Sequence, residues 1–235
     1  MNDFMICGAL LYDGTGHPPY PADVAVTESR IAAVAPAGKL HRTGFREIRA
    51  DGLSLSPGFI DAHGHSDVSI LAAPEASGKI SQGVTTEITG NCGLSAFPVL
   101  TDEVREHLDK LYAAYHVPIT WSTLDDYATE LNRREPAINI ASLCGHNTLR
   151  ANISGYGGRT LAAAELNRMA ELLGQALHQG AAGLSTGLLY TPGRFADTAE
   201  LLHLMSVLKK FDRLYATHLR SEGDQLTEAL EEAGF

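Results

Sequence analysis

Ser56-Pro57-Gly58-Phe59-Ile60-Asp61-Ala62-His63-Gly64-His65-Ser66-Asp67 is the stretch on which the fold turns. A Pro-Gly turn signal opens a short apolar run, and the run ends in two histidines two residues apart. Side chains at i and i+2 share one face of a strand, so His63 and His65 can grip a single cation at the strand's C-terminal end. Neutral imidazole is a natural zinc donor, and Gly64 permits a tight backbone between the two rings. His-x-His alone also describes two surface histidines in a loop, but the apolar strand in front of this pair argues against that reading. Asp61 shares the face and reads either as an orienter of a ligating histidine or as a plain strand-end carboxylate.

From Pro57 onward strand, loop and helix alternate. The candidate strands cover 58–62, 85–89, 138–143, 182–185 and 214–217. Leu166, Met169, Leu173, Ala176 and Leu177 make one apolar helical face, and Leu201, Leu202, Met205 and Leu208 make another. Asp197 and Glu200 are spaced as a capping box for the second helix, with Lys209-Lys210 in its last turn, and a final helix is expected over 224–233. This alternation predicts an α/β fold with a parallel sheet covered by helices. A closed barrel of this kind needs eight strands and ~250 residues, whereas five strands are countable here. The stretch therefore reads as part of a longer barrel or as a smaller open α/β domain. Residues 1–56 are different in kind: short strands at Phe4–Cys7, Leu10–Tyr12, Asp23–Val26 and Ile31–Val34, with a hairpin turn at Thr27 to Arg30.

Two further motifs fall at strand ends. Gly83-Val84-Thr85-Thr86-Glu87-Ile88-Thr89-Gly90-Asn91-Cys92-Gly93 is a β-branched strand running into a thiol, at the rim where barrel enzymes keep their chemistry. A thiolate binds zinc well, and its pKa falls beside the metal. Cys144, inside an apolar strand, and Cys7 read as inert packing residues. In Leu214-Tyr215-Ala216-Thr217-His218-Leu219-Arg220-Ser221-Glu222-Gly223, His218 closes the fifth strand on the same rim, while Arg220 and Glu222 are spaced to bind substrate or each other.

The strings around His63, His65, Cys92 and His218 resemble the amidohydrolase superfamily and, more narrowly, the N-acyl-D-amino-acid deacylase (D-aminoacylase) family. Cys144-Gly145-His146-Asn147-Thr148-Leu149-Arg150 and Gly183-Leu184-Ser185-Thr186-Gly187-Leu188-Leu189-Tyr190-Thr191-Pro192-Gly193 are similar to further family segments. Asn-Cys-Gly is the specific signal, because most binuclear relatives bridge their metals with a carboxylated lysine or a glutamate from a later strand. The resemblance implies a partial (β/α)8 TIM-like barrel, about the first five strands over residues 57–235, preceded by part of a small β-sandwich domain over 1–56. It implies that Cys92 and His218 hold one tight Zn2+, that His63 and His65 serve a weaker second position, and that Tyr190 meets the substrate carboxylate. Arg220, Glu222 and His146 are carried as further substrate-binding candidates, His146 being read as a loop histidine after a strand. A completing histidine and a general-base aspartate are expected beyond Phe235, so the chain is expected to be a fragment inactive alone. The implied reaction is metal-assisted hydrolysis of N-acyl-D-amino acids to a carboxylate and a D-amino acid. The rivals are a cyclic amidase of the dihydroorotase or hydantoinase type, which leaves Cys92 unexplained, and a non-catalytic fragment with idle metal residues.

Composition sets the outer bounds. The 235 residues are 44% hydrophobic and 20% charged, as in ordinary globular proteins. A formal net charge of -10 with no basic stripe argues against nucleic-acid binding. No apolar run approaches the ~20 residues of a membrane span. Met1 to Tyr12 carries Asp3 and no basic segment, which predicts no signal peptide. Three scattered cysteines do not make a disulfide framework, and a reducing cytoplasm fits them.

Overall fold

The computed structural model describes residues 3–41 and 43–234, and it divides at Gly58/Phe59 into two compact units. The aspartate and histidine expected beyond Phe235 lie outside the described residues.

The first unit is a five-stranded sheet: β1 (Phe4–Leu11), β2 (Tyr20–Thr27), β3 (Arg30–Pro36), β4 (Arg46–Arg49) and β5 (Ser54–Leu55). The order is β3-β2-β1-β4, with β5 also pairing with β1. The β2–β3 hairpin forms where the sequence puts it, pairing Thr27 with Arg30 across a two-residue loop that holds Glu28 at φ 57°. Phe4–Cys7 and Leu10–Tyr12, read as separate strands, merge into the one strand β1, which stops at Leu11 and whose register slips between Ile6 and Ala9. Gly8 sits at that slip with φ 76°, a conformation a side chain would resist. Leu11, Ala22 and Val24 form the small core, with Leu55 packed on it.

The second unit opens with β6 (Phe59–Asp61), the short helices α1 (Ser69–Ala72) and α2 (Ser77–Ile80), and β7 (Val84–Thr89). It continues with α3 (Asp102–Leu111), α4 (Leu124–Arg133), β8 (Asn139–Gly145), α5 (His146–Ser154) and α6 (Ala163–His178). It ends with β9 (Gly183–Gly187), α7 (Thr198–Phe211), β10 (Leu214–His218) and α8 (Leu226–Ala233). The five strands run parallel in the order β10-β9-β8-β7-β6, each beside its sequence neighbour, which is the open arc of a half barrel. β9 is buried along its whole length, as a strand covered on both faces must be. The expected face of α6 packs inward through Met169, Leu173 and Leu177, in one core that also holds Phe97, Trp121 and Tyr127. On α7 Leu208 joins that core, but Leu204 takes the most buried position and Leu202, expected on the inward face, is 64% exposed. Among the described residues no helix is long and apolar enough to cross a membrane.

Three local readings need correction. β8 runs straight into α5, with Gly145 as its N-cap, so His146 is the first residue of a helix and not a loop histidine. Asp197 caps α7 by accepting the N–H of Glu200 at 2.8 Å, but Glu200 does not complete a capping box. Its carboxylate is buried and turns to His146 and Arg150 instead, because two buried donors outcompete one helix-end N–H. α8 begins at Leu226, two residues later than expected.

Asp23 ties the first unit together. It is 3% exposed, and its carboxylate accepts N–H groups from Gly8 (2.9 Å), Gly38 (2.7 Å) and Leu40 (3.5 Å). Burial opposes its ionisation, but these donors outweigh burial and hold the carboxyl below the ordinary carboxylate range. A carboxyl depressed by folding gives its full stabilisation above the unfolded pKa, ~3.9, and loses it as pH falls through the folded value. Asp23→Asn should therefore lower Tm at pH 7, by roughly 1–3 kcal/mol of stability, and the gap to the parent protein should narrow on acidification below ~3.9. Thermal melts followed by circular dichroism across pH check this; a gap independent of pH would contradict the assignment.

Candidate metal centre

In a parallel sheet every strand delivers its last residues to the same edge. His63 and His65 follow β6, Cys92 follows β7, His146 follows β8, Tyr190 follows β9, and His218 is the last residue of β10. The strand order alone therefore brings residues 155 positions apart in sequence to one rim.

The His63-Gly64-His65 turn is fixed from behind. Gly64 N–H donates to the carbonyl of Ile88 at 2.9 Å, and Ser66 N–H donates to Glu87 Oε1 at 3.2 Å. Glu87 is fully buried, and a Cβ added at Gly64 would lie 1.8 Å from its Oε1, so only glycine fits between the two histidines. Lys79 of α2 reaches both acids: it bonds to Asp61, and its Nζ is 3.4 Å from Glu87 Oε2. Asp61 also accepts the N–H of His63 at 3.2 Å, and Lys79 first, then this bond, hold its carboxyl below the usual range.

The Asn91-Cys92-Gly93 turn is fixed from the side. Cys92 has φ 54°, an uncommon conformation for a residue with a Cβ. Ser185 of β9 holds the turn at both ends, donating to the carbonyl of Gly90 and accepting Gly93 N–H at 3.0 Å. The fit against β9 leaves no room for a side chain: a Cβ on Gly187 would lie 1.9 Å from the carbonyl oxygen of Cys92. Asn147 of α5 completes the clamp by donating to the carbonyls of Gly187 (3.1 Å) and Tyr190 (3.3 Å).

These supports converge on the thiol. Cys92 Sγ is 3.2 Å from His63 Nε2 and 3.6 Å from His218 Nδ1. One donor atom each from His63, His65 and Cys92 lies within 4.8 Å of the other two, a group with the softness and spacing of a transition-metal site. Burial, and secondarily the neighbouring His63, lower the pKa of His65, keeping its ring neutral with a lone pair to give. Burial, and then the Glu222 carboxylate, raise the pKa of the Cys92 thiol. A cation among these donors reverses that preference, since a coordinating thiol is deprotonated outright. His218 Nε2 is buried without a hydrogen bond, with Glu222 Oε1 3.3 Å away. The set fits a metal.

The other candidates are placed differently. Tyr190 stands at the rim, its ring 4.7 Å from that of His218. Glu222 is exposed beside His218 and does not pair with Arg220. Arg220 is largely committed elsewhere, bonding to Glu232 and to the carbonyls of Arg194 and Ala196 through four of its five N–H groups. His146 is fully buried, 2.8 Å from Glu200, and belongs to the packing of α5 on α7. Cys144 is likewise buried in the core, which pushes its thiol up to about 12. Sequence reasoning missed Glu87, Lys79, Ser185 and Asn147. For Glu87 a signal existed, a charge in the middle of a β-branched strand, because such a group is buried only with a purpose.

Residues 46–227 match the amidohydrolase family. The N-acyl-D-aspartate deacylase of Alcaligenes xylosoxydans xylosoxydans is 41% identical over 232 residues, covering 98% of this chain and 46% of the relative. The D-aminoacylase of the same organism is 36% identical over 232 residues, covering 98% and 47%. Among solved structures, the N-acyl-D-glutamate deacylase of Bordetella bronchiseptica, complexed with zinc and a phosphonate mimic of the tetrahedral intermediate, superposes with a TM-score of 0.88 at 37% identity over 99% of this chain and 48% of that one. The chain thus spans about half the length of the relatives it matches.

Cobalt(II) reads the thiol directly through its thiolate charge-transfer absorption in the near ultraviolet. The band is expected with the parent protein and with Cys144→Ala, and it should vanish with Cys92→Ser. Gly64→Ala, which drives a methyl into Glu87, should weaken cobalt binding by roughly 10–100-fold, the usual cost of disturbing a ligand's outer support. A band that survives Cys92→Ser would remove this cysteine from the metal site.

Proposed function

We propose, from the premise that this chain belongs to the amidohydrolase family, that it carries the metal centre of a zinc-dependent N-acyl-D-amino-acid deacylase. The observation that carries the reading is the meeting of Cys92 with His63, His65 and His218 on one rim. Cys92 lies within reach of His63 on one side and His218 on the other, so one thiolate can serve two metal positions. Cys92 with His218 would hold the tighter zinc, and His63 with His65 the weaker. Zinc bound there supplies a Lewis acid for the acyl carbonyl and lowers the pKa of water toward ~7.

The chain's own residues do the positioning. Ser185 and Asn147 hold the Cys92 turn, and Glu87 with Lys79 holds the histidine turn, so the donors are preorganised and do not have to be gathered on binding. Asn147 also anchors the backbone of Tyr190, whose phenol would receive the substrate carboxylate. Glu222 beside His218 Nε2 can hold that ring's proton, leaving Nδ1 toward the sulfur as donor. The aspartate expected beyond Phe235 is the proposed acceptor of the water proton and its donor to the leaving amine. The substrate is a small molecule, and a reducing cytoplasm suits three cysteines that all stand unpaired.

The test uses the protein that contains this chain, purified with zinc and offered matched D and L enantiomers of N-acetylated amino acids. Hydrolysis of the D series alone is expected, with loss on dialysis against a chelator and recovery on adding zinc. His218→Ala should lower kcat/KM by more than the ~10–100-fold typical of losing an outer-sphere partner. Turnover of hydantoins or dihydropyrimidines in place of N-acyl-D-amino acids would reject the deacylase reading.

A further inference from the structure

We propose that the cavity beside Cys92 binds an uncharged, apolar substituent of the scissile amide, an aliphatic chain longer than acetyl; this rests on the deacylase reading above. The cavity measures about 310 Å3, and His65 and Cys92 are among its lining residues, so it adjoins the metal donors. One face of α3 contributes Val104, Leu108 and Leu111 at i, i+4 and i+7 to its lining. His107 and Tyr156, whose rings lie 4.3 Å apart, also line it.

The polar groups of the lining explain why the occupant is neutral. None of the lining residues is Lys, Arg, Asp or Glu. The Thr148 hydroxyl is engaged with the backbone N–H and carbonyl of Ser95 at 3.0 and 3.2 Å. Asn147 spends its amide N–H groups on Gly187 and Tyr190, and its Oδ1 is buried against Gly93 and Gly193, so this side chain offers a carboxylate no donor. Burial, with the nearby Lys110, lowers the pKa of His107, so that ring contributes no positive charge. Beyond the metal donors and Tyr190, which would take the scissile carbonyl and the substrate's own carboxylate, a second carboxylate carried into this space would lose its water and meet no cationic side chain. An alkyl chain loses nothing and leaves water for leucine and valine side chains.

Two sources present such a chain: the acyl group and the D-amino-acid side chain. With the zinc-loaded protein, kcat/KM is measured over N-acetyl-, N-butanoyl-, N-hexanoyl- and N-octanoyl-D-alanine. A second series, N-acetyl-D-alanine, -D-leucine, -D-phenylalanine and -D-aspartate, varies the other side. One series is expected to rise with apolar size, by up to about fourfold per buried methylene, and the series that rises identifies the source. Leu111→Trp, at the half-exposed end of that α3 face, should flatten the rising series. Hexanoate binding, measured by calorimetry against acetate and succinate, reads the cavity without turnover and should favour hexanoate. If no N-acyl-D-amino acid is hydrolysed, the deacylase reading falls, and the calorimetry still decides the cavity. Flat profiles in both series, a preference for D-aspartate over D-leucine, or equal binding of the three acids overturns the proposal.

Discussion

The hydroxyl of Ser185 is the contact on which the rest of the site depends. It sits in the middle of β9 and bridges the two ends of a turn that belongs to β7, more than ninety residues earlier, with β8 lying between the two strands. That single group keeps Cys92 at a positive φ, where its thiol faces His63 and His218 and does not fold back on the sheet. A backbone held in an uncommon conformation persists only when its surroundings over-determine it. Here they do: Ser185 bonds the turn, the bare Gly187 lets it press against β9, and Asn147 locks β9's following loop in place.

Much of this was legible in the sequence. The five barrel strands and the two longest helices follow from period and apolar content, and the rim residues follow from where each strand ends. The histidines and Cys92 stand out because each is a donor placed after a β-rich run. What the sequence did not disclose is which polar residues hold the donors. Glu200 carries a capping-box spacing, yet its side chain joins Arg150 and His146 across two helices, a choice set by tertiary burial that no local pattern encodes. Arg220 and Glu222 alternate as a pair would, yet Arg220 turns to Glu232 because α8 brings that carboxylate alongside. Asn147 hides behind the same difficulty: the run after Cys144 reads as a loop until the strand is seen to enter a helix without a break.

Two clusters of charge lie behind the rim, one buried and one half-buried, and they do different work. Arg150 and Glu200 fasten α5 to α7, and burying such a pair gives specificity of packing more than net stability. Lys79 and Asp61, both half-buried, join the fully buried Glu87 behind the histidine turn, and burial strengthens the interaction of Lys79 with Glu87 in particular. Asp67 lies close by, 1% exposed, its carboxyl pushed to about 7 by burial and by the Glu87 charge. A positive ion in front of the turn and fixed negative charge behind it are mutually favourable, so the acids stabilise the occupied state more than the empty one.

The two outer strands, β6 and β10, carry a consequence for symmetry. Phe59, Ile60 and Leu214 are each at least 60% exposed along them, and both strands point the same way. Any strand that extends the sheet at β10 in the same parallel pattern must arrive with the polarity that β6 already has. Two copies joined through these borders would therefore meet head to tail, as successive segments of one ring, and not across a twofold axis. A half barrel of this design is directional: its two margins are plug and socket, and its natural complement is an arc that continues its own sense of rotation.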